Sequence, residues 1–250
     1  MRSYVVLVLA GCGFQHGTAT EDAAIPDAPD ANVDMMIDAP APFCAADPHL
    51  RLCYSFDQDP LPPSLANEGA ANVSATLTNV THTARGATGA AQIDSTSMIY
   101  VPYTAEVTNI QGFEVSFRAD GAPAINGARL GILDTNVIPP NVSFFLYRVD
   151  PGYQLRCGLG GALYAFDAPL VLGMWHDAVC TCTADTLQIY LDGAKIGEQA
   201  TSGCSSGGGF VSAGMTIGQN NNGGPTGADE WLVGAVDNVR LWDVPVAPPQ

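Results

Sequence analysis

The strongest constraint on the fold is the alternation of apolar and polar residues near the C-terminus. Leu187, Ile189 and Leu191 alternate with polar neighbours up to an Asp192-Gly193 pair, after which the chain can return as a second arm. Alternation with a period of two is typical of a half-buried β-strand, and an Asp-Gly pair between two such runs indicates a tight hairpin. The sequence therefore predicts antiparallel β-structure here.

The last apolar segment, WLVGAVDNVRLWDVPV, breaks this alternation at one point. Its apolar positions include Leu232 and Val236, and then shift to Val239 and Leu241. One extra residue therefore enters the strand at Asp237-Asn238. A β-bulge or a sandwich corner is the simplest cause of such a shift.

The order of these segments resembles the end of a laminin-G-like, concanavalin A-like jelly roll. That superfamily closes with a Tyr-x-Asp-Gly hairpin, a short strand ending in Ile-Gly, and a Gly-x-Ile-Asp-x-Val-Arg-Ile-Tyr strand. The matching segments here are residues 190–193, 217–218 and 234–242. The resemblance extends upstream, in the family's order, through residues 50–59, 86–102, 113–120 and 174–182. It implies an all-β fold, an antiparallel two-sheet jelly-roll sandwich, over residues 43–250.

Aromatic residues in the upstream segments indicate where the core lies. Each of them falls on an apolar position of a strand-like pattern, and we expect all of them in the core. They are Tyr54, Phe56, Phe113, Phe117 and Phe145.

The charge of the chain excludes one class of partner. The net charge is −16, and Lys195 is the only lysine among 250 residues. Nucleic-acid binding needs clustered lysine and arginine side chains that neutralise phosphates, and no basic stripe is present. Nucleic acid is therefore excluded as a partner, whereas cations are compatible with the acidic surface.

Residues 1–12 have the pattern of a bacterial lipoprotein signal peptide. Arg2 precedes an apolar run ending in Leu-Ala-Gly-Cys, which resembles a lipobox with Cys12 as the lipid-bearing residue; the alternative is a chance apolar start. Residues 13–42 are acidic and rich in alanine and proline, which predicts a disordered tether. We therefore expect the protein in a bacterial cell envelope, at the outer membrane or cell surface, contacting the membrane only through a lipid anchor.

Six cysteines remain besides Cys12, and an even number favours disulfides in an exported protein. The alternative is a metal site at Cys180 and Cys182, but no second close pair of ligands accompanies them. Cys44 and Cys53 are close in sequence, so we pair them first. Three arrangements are then possible for the other four cysteines.

The register of the C-terminal hairpin distinguishes among these arrangements. With a two-residue turn at Asp192-Gly193, Thr186 faces Gln199, and the same register brings Cys204 near the turn at residues 183–185. Cys182 lies at that turn. The expected pairs are therefore Cys44–Cys53, Cys157–Cys180 and Cys182–Cys204, although a bulge in the strand of Cys180 would exchange the last two partners.

The motifs of catalysis are missing from the sequence. Glycan-cleaving relatives place three carboxylates on one strand as Glu-x-Asp-x-x-Glu, and none of the six glutamates here begins that pattern. His-Glu-x-x-His and Gly-x-Ser-x-Gly are also absent. His176 follows Trp175, a pair most simply explained by core packing. The sequence therefore predicts a protein that is not an enzyme.

Two polar loops carry the candidate ligand-binding residues. Laminin-G-like modules that bind calcium use a rim aspartate with oxygen ligands from a neighbouring loop, and the candidate metal ligands here are Asp134, Asn220 and Asp229. For a sugar, the candidates are Asn220, Asn222, Asp229 and Trp231, with the indole stacking on the sugar ring. The alternatives are turn-forming aspartate and asparagine residues and a tryptophan that belongs to the core.

Together these features predict a tethered, disulfide-bonded module that binds rather than catalyses. The expected partner is a glycan or a glycosylated surface. One alternative is an adhesion or scaffold module that binds a cell-surface protein and no small ligand. A second alternative is a divergent glycan hydrolase or lyase. Calcium is the one cofactor that the sequence suggests.

Overall fold

The computed structural model describes residues 43–136, 141–204, 206–210, 212–221 and 230–247. These residues form sixteen β-strands and no helix, so the described part contains no helix that could cross a membrane. Cys12, the signal peptide at 1–12 and the tether at 13–42 lie outside the described residues.

Two antiparallel sheets of eight strands each form a sandwich. Sheet I consists of β1 (Leu50–Tyr54), β4 (Thr81–Arg85), β5 (Thr88–Ile93), β7 (Gly112–Ala119), β12 (Trp175–Thr183), β13 (Thr186–Leu191), β14 (Ala194–Ala200) and β16 (Gly234–Trp242). Sheet II consists of β2 (Ser64–Ala66), β3 (Ser74–Thr78), β6 (Met98–Val101), β8 (Arg129–Asp134), β9 (Asn141–Val149), β10 (Gly152–Gly160), β11 (Ala162–Ala168) and β15 (Met215–Ile217). The predicted all-β, two-sheet fold is confirmed.

Strand order within each sheet differs from chain order, as in a jelly roll. Sheet I runs β14-β13-β12-β7-β16-β5-β4, with β1 also paired to β16. Sheet II runs β11-β10-β9-β8-β15-β6-β3-β2. The C-terminal strand β16 therefore lies in the middle of sheet I, although it is the last strand made.

The core lies between the two sheets and takes alternate residues from each strand. Phe113 and Phe117 of β7 approach Phe144 of β9 edge-to-face, with ring centroids 5.5 and 6.0 Å apart. Tyr54 and Phe56 belong to the same cluster, as predicted. Full burial of one such ring stabilises the fold by ~2–3 kcal/mol, so this aromatic group is a main source of stability.

The predicted bulge in the last strand is present. The register of β16 against β7 shifts between Asp237 and Arg240, and Asn238 has a φ of 52°. Asparagine tolerates this left-handed conformation better than most residues. The extra residue returns Val239 and Leu241 to the core side.

The C-terminal hairpin has the predicted turn but not the predicted register along its whole length. Thr186 pairs with Ala200, not with Gln199. The reason is a bulge in β14 that leaves Ile196 without a partner on β13. One added residue in one arm shifts every pair beyond it by one position.

Three disulfides are present, and they are the pairs expected from the sequence: Cys44–Cys53, Cys157–Cys180 and Cys182–Cys204. Cys157 lies on β10 and Cys180 on β12, so this bond joins sheet II to sheet I through the core. The bond of Cys182 to Cys204 holds the segment after β14 against β12. Cross-links of this kind restrict the unfolded chain and typically stabilise by ~2–4 kcal/mol each.

Candidate functional site

The outer side of sheet II, between β8 and β11, collects polar and aromatic side chains into rows. Its residues alternate with core residues such as Phe144 and Leu155, so they point away from sheet I. We call this surface the β8–β11 face. Pairing in register gives three rows: Arg129, Tyr147, Gln154 and Asp167; Gly131, Phe145, Arg156 and Ala165; Asp134, Ser143, Gly158 and Leu163.

Arginine side chains stack on aromatic rings in the centre of this face. The guanidinium of Arg129 lies 4.5 Å from the ring centroid of Phe145, and that of Arg156 lies 5.1 Å from the same centroid. Arg156 is also 4.6 Å from the ring of Tyr147. Such cation–π contacts hold the charged groups in fixed planes.

The placement of Phe145 corrects one prediction. We expected this residue in the core between the sheets, yet it is buried on the outer side of sheet II, beneath Arg129 and Arg156. Its neighbour Phe144 takes the core position. Because β9 has phenylalanine at two successive positions, alternation alone does not tell which of the two faces inward.

The two central arginines have different partners. Arg129 pairs with Glu230, and its Nη1 donates to the Tyr147 hydroxyl at 3.4 Å. Among the described residues, Arg156 has no ion-pair partner, and its Nε and Nη2 are shielded from solvent without an acceptor. Burial lowers the pKa of Arg156, since removing a guanidinium from water disfavours its charged form.

An open hollow adjoins the first row of the face. Its volume is about 570 Å³, and its lining combines apolar side chains with two carboxylates: Val149, Asp150, Pro151, Gly152, Tyr153, Asp167, Ala168 and Pro169. Asp167 belongs to both the hollow and the row, and its Oδ1 accepts a hydrogen bond from Gln154 Nε2 at 2.8 Å. Apolar walls with a few fixed acceptors are typical of small-molecule sites.

The candidate metal ligand Asp134 lies at the other edge of the face. It is completely buried; its Oδ2 accepts the backbone N–H of Asn221 at 2.9 Å, and its Oδ1 has no hydrogen-bond partner. Burial raises the pKa of Asp134 to about 7, against the opposing effects of that N–H and of Arg129. A buried carboxylate with one open oxygen is a candidate ligand for a hard cation, but among the described residues no group of three or more acidic, histidine or cysteine side chains could complete a site.

The structure brings together those predicted loop residues that it describes. A side chain at Gly131 would overlap the backbone of Gln219 and Asn220, so this loop lies directly on β8. Trp231 is half-buried and forms a parallel bridge with Gly131. Asn222 and Asp229 lie outside the described residues.

The outer side of sheet I has a different character. Arg85 donates to Asp237 at 2.9 Å and to Asp177 at 2.8 Å, Arg118 pairs with Asp120, and Arg240 pairs with Glu114. Burial raises the pKa of Asp237, while its hydrogen bond to Arg85 acts in the opposite direction. Asp237 also accepts the backbone N–H groups of Phe56 and Asn238. These carboxylates are therefore engaged in internal pairs.

His176 is likewise engaged within the fold. Its Nδ1 lies 2.7 Å from an oxygen of Asp192, and its Nε2 contacts the backbone of Val171. The ring also packs against Phe117 in the core, with centroids 6.0 Å apart. These contacts agree with a packing role for the Trp175-His176 pair.

Sequence reasoning missed the central residues of the face: Tyr147, Gln154, Arg156 and Asp167. They are far from the glycine-rich loops in which the candidates were sought. The available signal was the run of polar and aromatic residues at alternate positions of the strand pair 141–160, which indicates a face that is not part of the core.

Known proteins are similar to this chain in sequence and in fold. Residues 103–250 match the family model of the concanavalin A-like lectin/glucanases superfamily. The chain belongs to this superfamily. No curated protein matches the sequence.

Solved structures with this fold include domain 4 of AbnA, an extracellular arabinanase from Geobacillus stearothermophilus, in complex with arabinotriose. It is 15% identical, with a TM-score of 0.53 over 80% of this chain and 95% of that one. A Trypanosoma rangeli sialidase mutant with trans-sialidase activity is 16% identical, with a TM-score of 0.54 over 84% of this chain and 32% of that one. Botulinum neurotoxin type C, whose cell entry depends on two ganglioside molecules, is 9% identical, with a TM-score of 0.52 over 80% of this chain and 49% of that one. At these identities the likeness shows the fold alone.

Proposed function

We propose that this protein is a non-catalytic module that binds a glycan through the β8–β11 face. The single observation that carries the proposal is the continuity of an open hollow with a row of aromatic and polar side chains, joined at Asp167. Structural neighbours that bind or process glycans agree with this class of ligand.

The face offers the two kinds of contact that sugars need. Tyr147 presents a half-buried ring whose position is fixed by Arg129 and Arg156, and a sugar ring can stack on such a surface. Asp167 and Gln154 form a hydrogen-bonded pair beside it and supply fixed acceptors and donors for hydroxyl groups.

A glycan array tests this proposal with two matched variants. Tyr147→Ala removes the ring on the β8–β11 face, whereas Tyr190→Ala removes a similarly half-buried ring from sheet I. We expect Tyr147→Ala to weaken binding of the array hits about tenfold, since loss of one stacking ring costs roughly 1–1.5 kcal/mol. Tyr190→Ala should bind like the wild type. Equal loss in both variants, or no array hit for the wild type, would contradict the proposal.

The absence of catalysis is part of the proposal and has its own test. Glu114 and Asp237, the buried acids of sheet I, are each paired with an arginine. Glycoside hydrolysis needs one carboxyl group as an acid and a second as a nucleophile or base, and these two paired groups do not supply such a combination. We expect no release of reducing ends from polysaccharides that bind the protein. Release that persists through purification and disappears in a Glu114→Gln variant would establish a hydrolase instead.

We further propose that the protein is anchored in a bacterial envelope through Cys12. The proposal is supported by the sequence of residues 1–42. Wild type should incorporate labelled palmitate and fractionate with membranes, and Cys12→Ala should lose both properties. Equal labelling of the two proteins would exclude this anchor.

A further inference from the structure

The arginine and lysine side chains of this acidic protein are nearly all paired. Within the described residues, six arginines and Lys195 each form an ion pair with a carboxylate: Arg51 with Asp243, Arg85 with Asp177 and Asp237, Arg118 with Asp120, Arg129 with Glu230, Arg148 with Asp150, Arg240 with Glu114, and Lys195 with Glu198. Arg156 is the one exception in this part of the chain. Because carboxylates outnumber lysine and arginine side chains by 25 to 9 in the whole sequence, an unpaired arginine is not explained by a shortage of acids.

Because of where Arg156 lies, leaving it without an ion-pair partner lowers the stability of the fold. Its guanidinium is stacked on Tyr147 and Phe145, with Nε and Nη2 shielded from water and without an acceptor. Among the described residues, Arg129, Asp134 and Glu230 act electrostatically on Arg156, but Glu230 pairs with Arg129 and none of the three forms an ion pair with Arg156. A desolvated cation without a partner destabilises a fold, and natural proteins rarely keep one.

The side chain is nevertheless within reach of a ligand. Arg156 is half-buried as a whole, so part of the guanidinium reaches the surface of the β8–β11 face. Its neighbours in the row are Phe145, on which it stacks, and Ala165, whose side chain is too short to cover it. The adjoining row supplies Gln154 and Asp167.

We infer that the ligand is an acidic glycan whose carboxylate is bound by Arg156. This inference rests on the proposed glycan-binding function and names the chemical class of its ligand. Nη1 is the one guanidinium nitrogen of Arg156 that is not among the shielded, unpaired atoms, and stacking on Phe145 and Tyr147 holds its N–H donors in a fixed plane from which they can bind a carboxylate oxygen. A sugar acid places such a carboxylate directly on a ring that can stack beside it on Tyr147.

The experiment compares pairs of ligands that differ only in charge. The probes are oligosaccharides of a uronic acid and their methyl esters, and sialyllactose and its methyl ester; affinities are measured by calorimetry. Wild type should bind the acid form of at least one pair more tightly than its neutral partner, by about 10- to 100-fold, as expected for a hydrogen bond between two charged groups. This preference should decrease with added salt.

Three variants identify the group responsible. Arg156→Gln should abolish the preference, because it should weaken binding of the acid form by far more than binding of the neutral form. Arg156→Lys, which keeps the charge but not the planar fork, should lose most of it. Lys195→Gln removes the same charge from an exposed position on sheet I and should leave the preference intact. Thermal melting checks that each variant is folded.

The outcomes separate this inference from the proposed function. Equal binding of acid and neutral forms by wild type, or an equal loss of both in Arg156→Gln, would overturn the inference and leave glycan binding intact. Binding of no sugar, acidic or neutral, would refute both.

Discussion

The outer faces of the two sheets use the same residue types in opposite ways. On the outer side of sheet I, the charged groups meet one another: Arg85 bridges Asp177 and Asp237, and Arg240 meets Glu114. Among the described residues of this sheet, the shielded polar atoms without a partner are single atoms on three separate strands, in Tyr54, His82 and Arg240. On the outer side of sheet II and the loop that lies on it, such atoms among the described residues include one of Asp134, two of Arg156 and two of Gln219. The two faces therefore contain similar residue types but differ in how far their shielded polar atoms form hydrogen bonds.

This difference supports the proposal that the β8–β11 face, rather than the outer side of sheet I, binds a ligand. A polar group that is removed from water and left without a hydrogen bond costs ~1–3 kcal/mol. Several such groups on one surface are expected only where something else completes their bonds. Sheet I accordingly provides a self-contained support, and the β8–β11 face is where binding chemistry should be sought.

The largest effect should come from breaking the network of sheet I at its buried centre. Asp237→Ala removes a fully buried carboxylate and leaves Arg85 and two backbone N–H groups without it, so we expect a loss of about 3 kcal/mol in the free energy of unfolding. Asp177→Ala is the matched control, because its half-exposed side chain also binds Arg85; its cost should be under ~1 kcal/mol. Urea unfolding measures both. Equal costs would mean that burial does not distinguish the two pairs.

The next effect concerns calcium, which we propose is bound by Asp134 on sheet II. A cation bound at the open Oδ1 would stabilise the folded state by ~2.7 kcal/mol at a concentration one hundred times its dissociation constant. Wild type should therefore melt at a higher temperature in millimolar calcium than in chelator, and Asp134→Asn should not respond. Asp120→Asn, which alters an aspartate at the edge of sheet I, is the control. An unchanged wild-type melting temperature would argue against calcium.

A smaller effect should follow from the pH dependence of Asp134 in chelator. Since its pKa is about 7 in the folded protein and ~3.9 in an unfolded chain, the folded state retains a proton that the unfolded chain releases. The free energy of unfolding should therefore fall as the pH rises from about 4 to about 7 and remain low above that range.

Asp134→Asn should remove this component. An amide oxygen can still accept the Asn221 N–H, so the variant should be more stable than wild type by ~2 kcal/mol at pH 5.5 and similar to it at pH 4. Denaturant unfolding at the two pH values gives both numbers. A constant difference between wild type and variant across this range would show that Asp134 is ionised throughout.

The smallest effect should come from a methyl group placed beneath the loop of sheet II. Gly131→Ala would press a Cβ into the backbone of Gln219 and Asn220, and we expect a cost of ~1.5 kcal/mol together with weaker glycan binding. Gly121→Ala is the control, because nothing lies near its Cβ; it should change stability by less than ~0.5 kcal/mol. If Gly131→Ala leaves binding unchanged, the loop on β8 does not shape the site.

Local patterns in the sequence were sufficient for the strands and for one bulge. The shift of apolar positions at Asp237-Asn238 is visible in the sequence because it changes which residues reach the core. The bulge at Ile196 is not, because β14 is an exposed edge strand with no buried side of its own. Register errors of one residue therefore arise where a strand has no buried face to fix it.

The candidate site was predictable only in part. Asp134, Asn220 and Trp231 were identified from loop composition, and they do lie near one another along β8. The rows that contain Tyr147 and Arg156 depend on the pairing of β8, β9, β10 and β11, which no local pattern specifies. The distinction between Arg156 and the paired arginines is likewise a property of three-dimensional contacts alone.

The disulfide between Cys157 and Cys180 has a mechanical consequence. Cys157 is the residue after Arg156, so the strand that carries this arginine is covalently joined to β12 of the opposite sheet. If the chain is held at its N-terminal end and binds a glycan at Arg156, as we propose, tension between the two enters through Cys44 and β1 in sheet I and leaves through β10 in sheet II. Along this path the covalent cross-link adds to the packed core in resisting separation of the sheets.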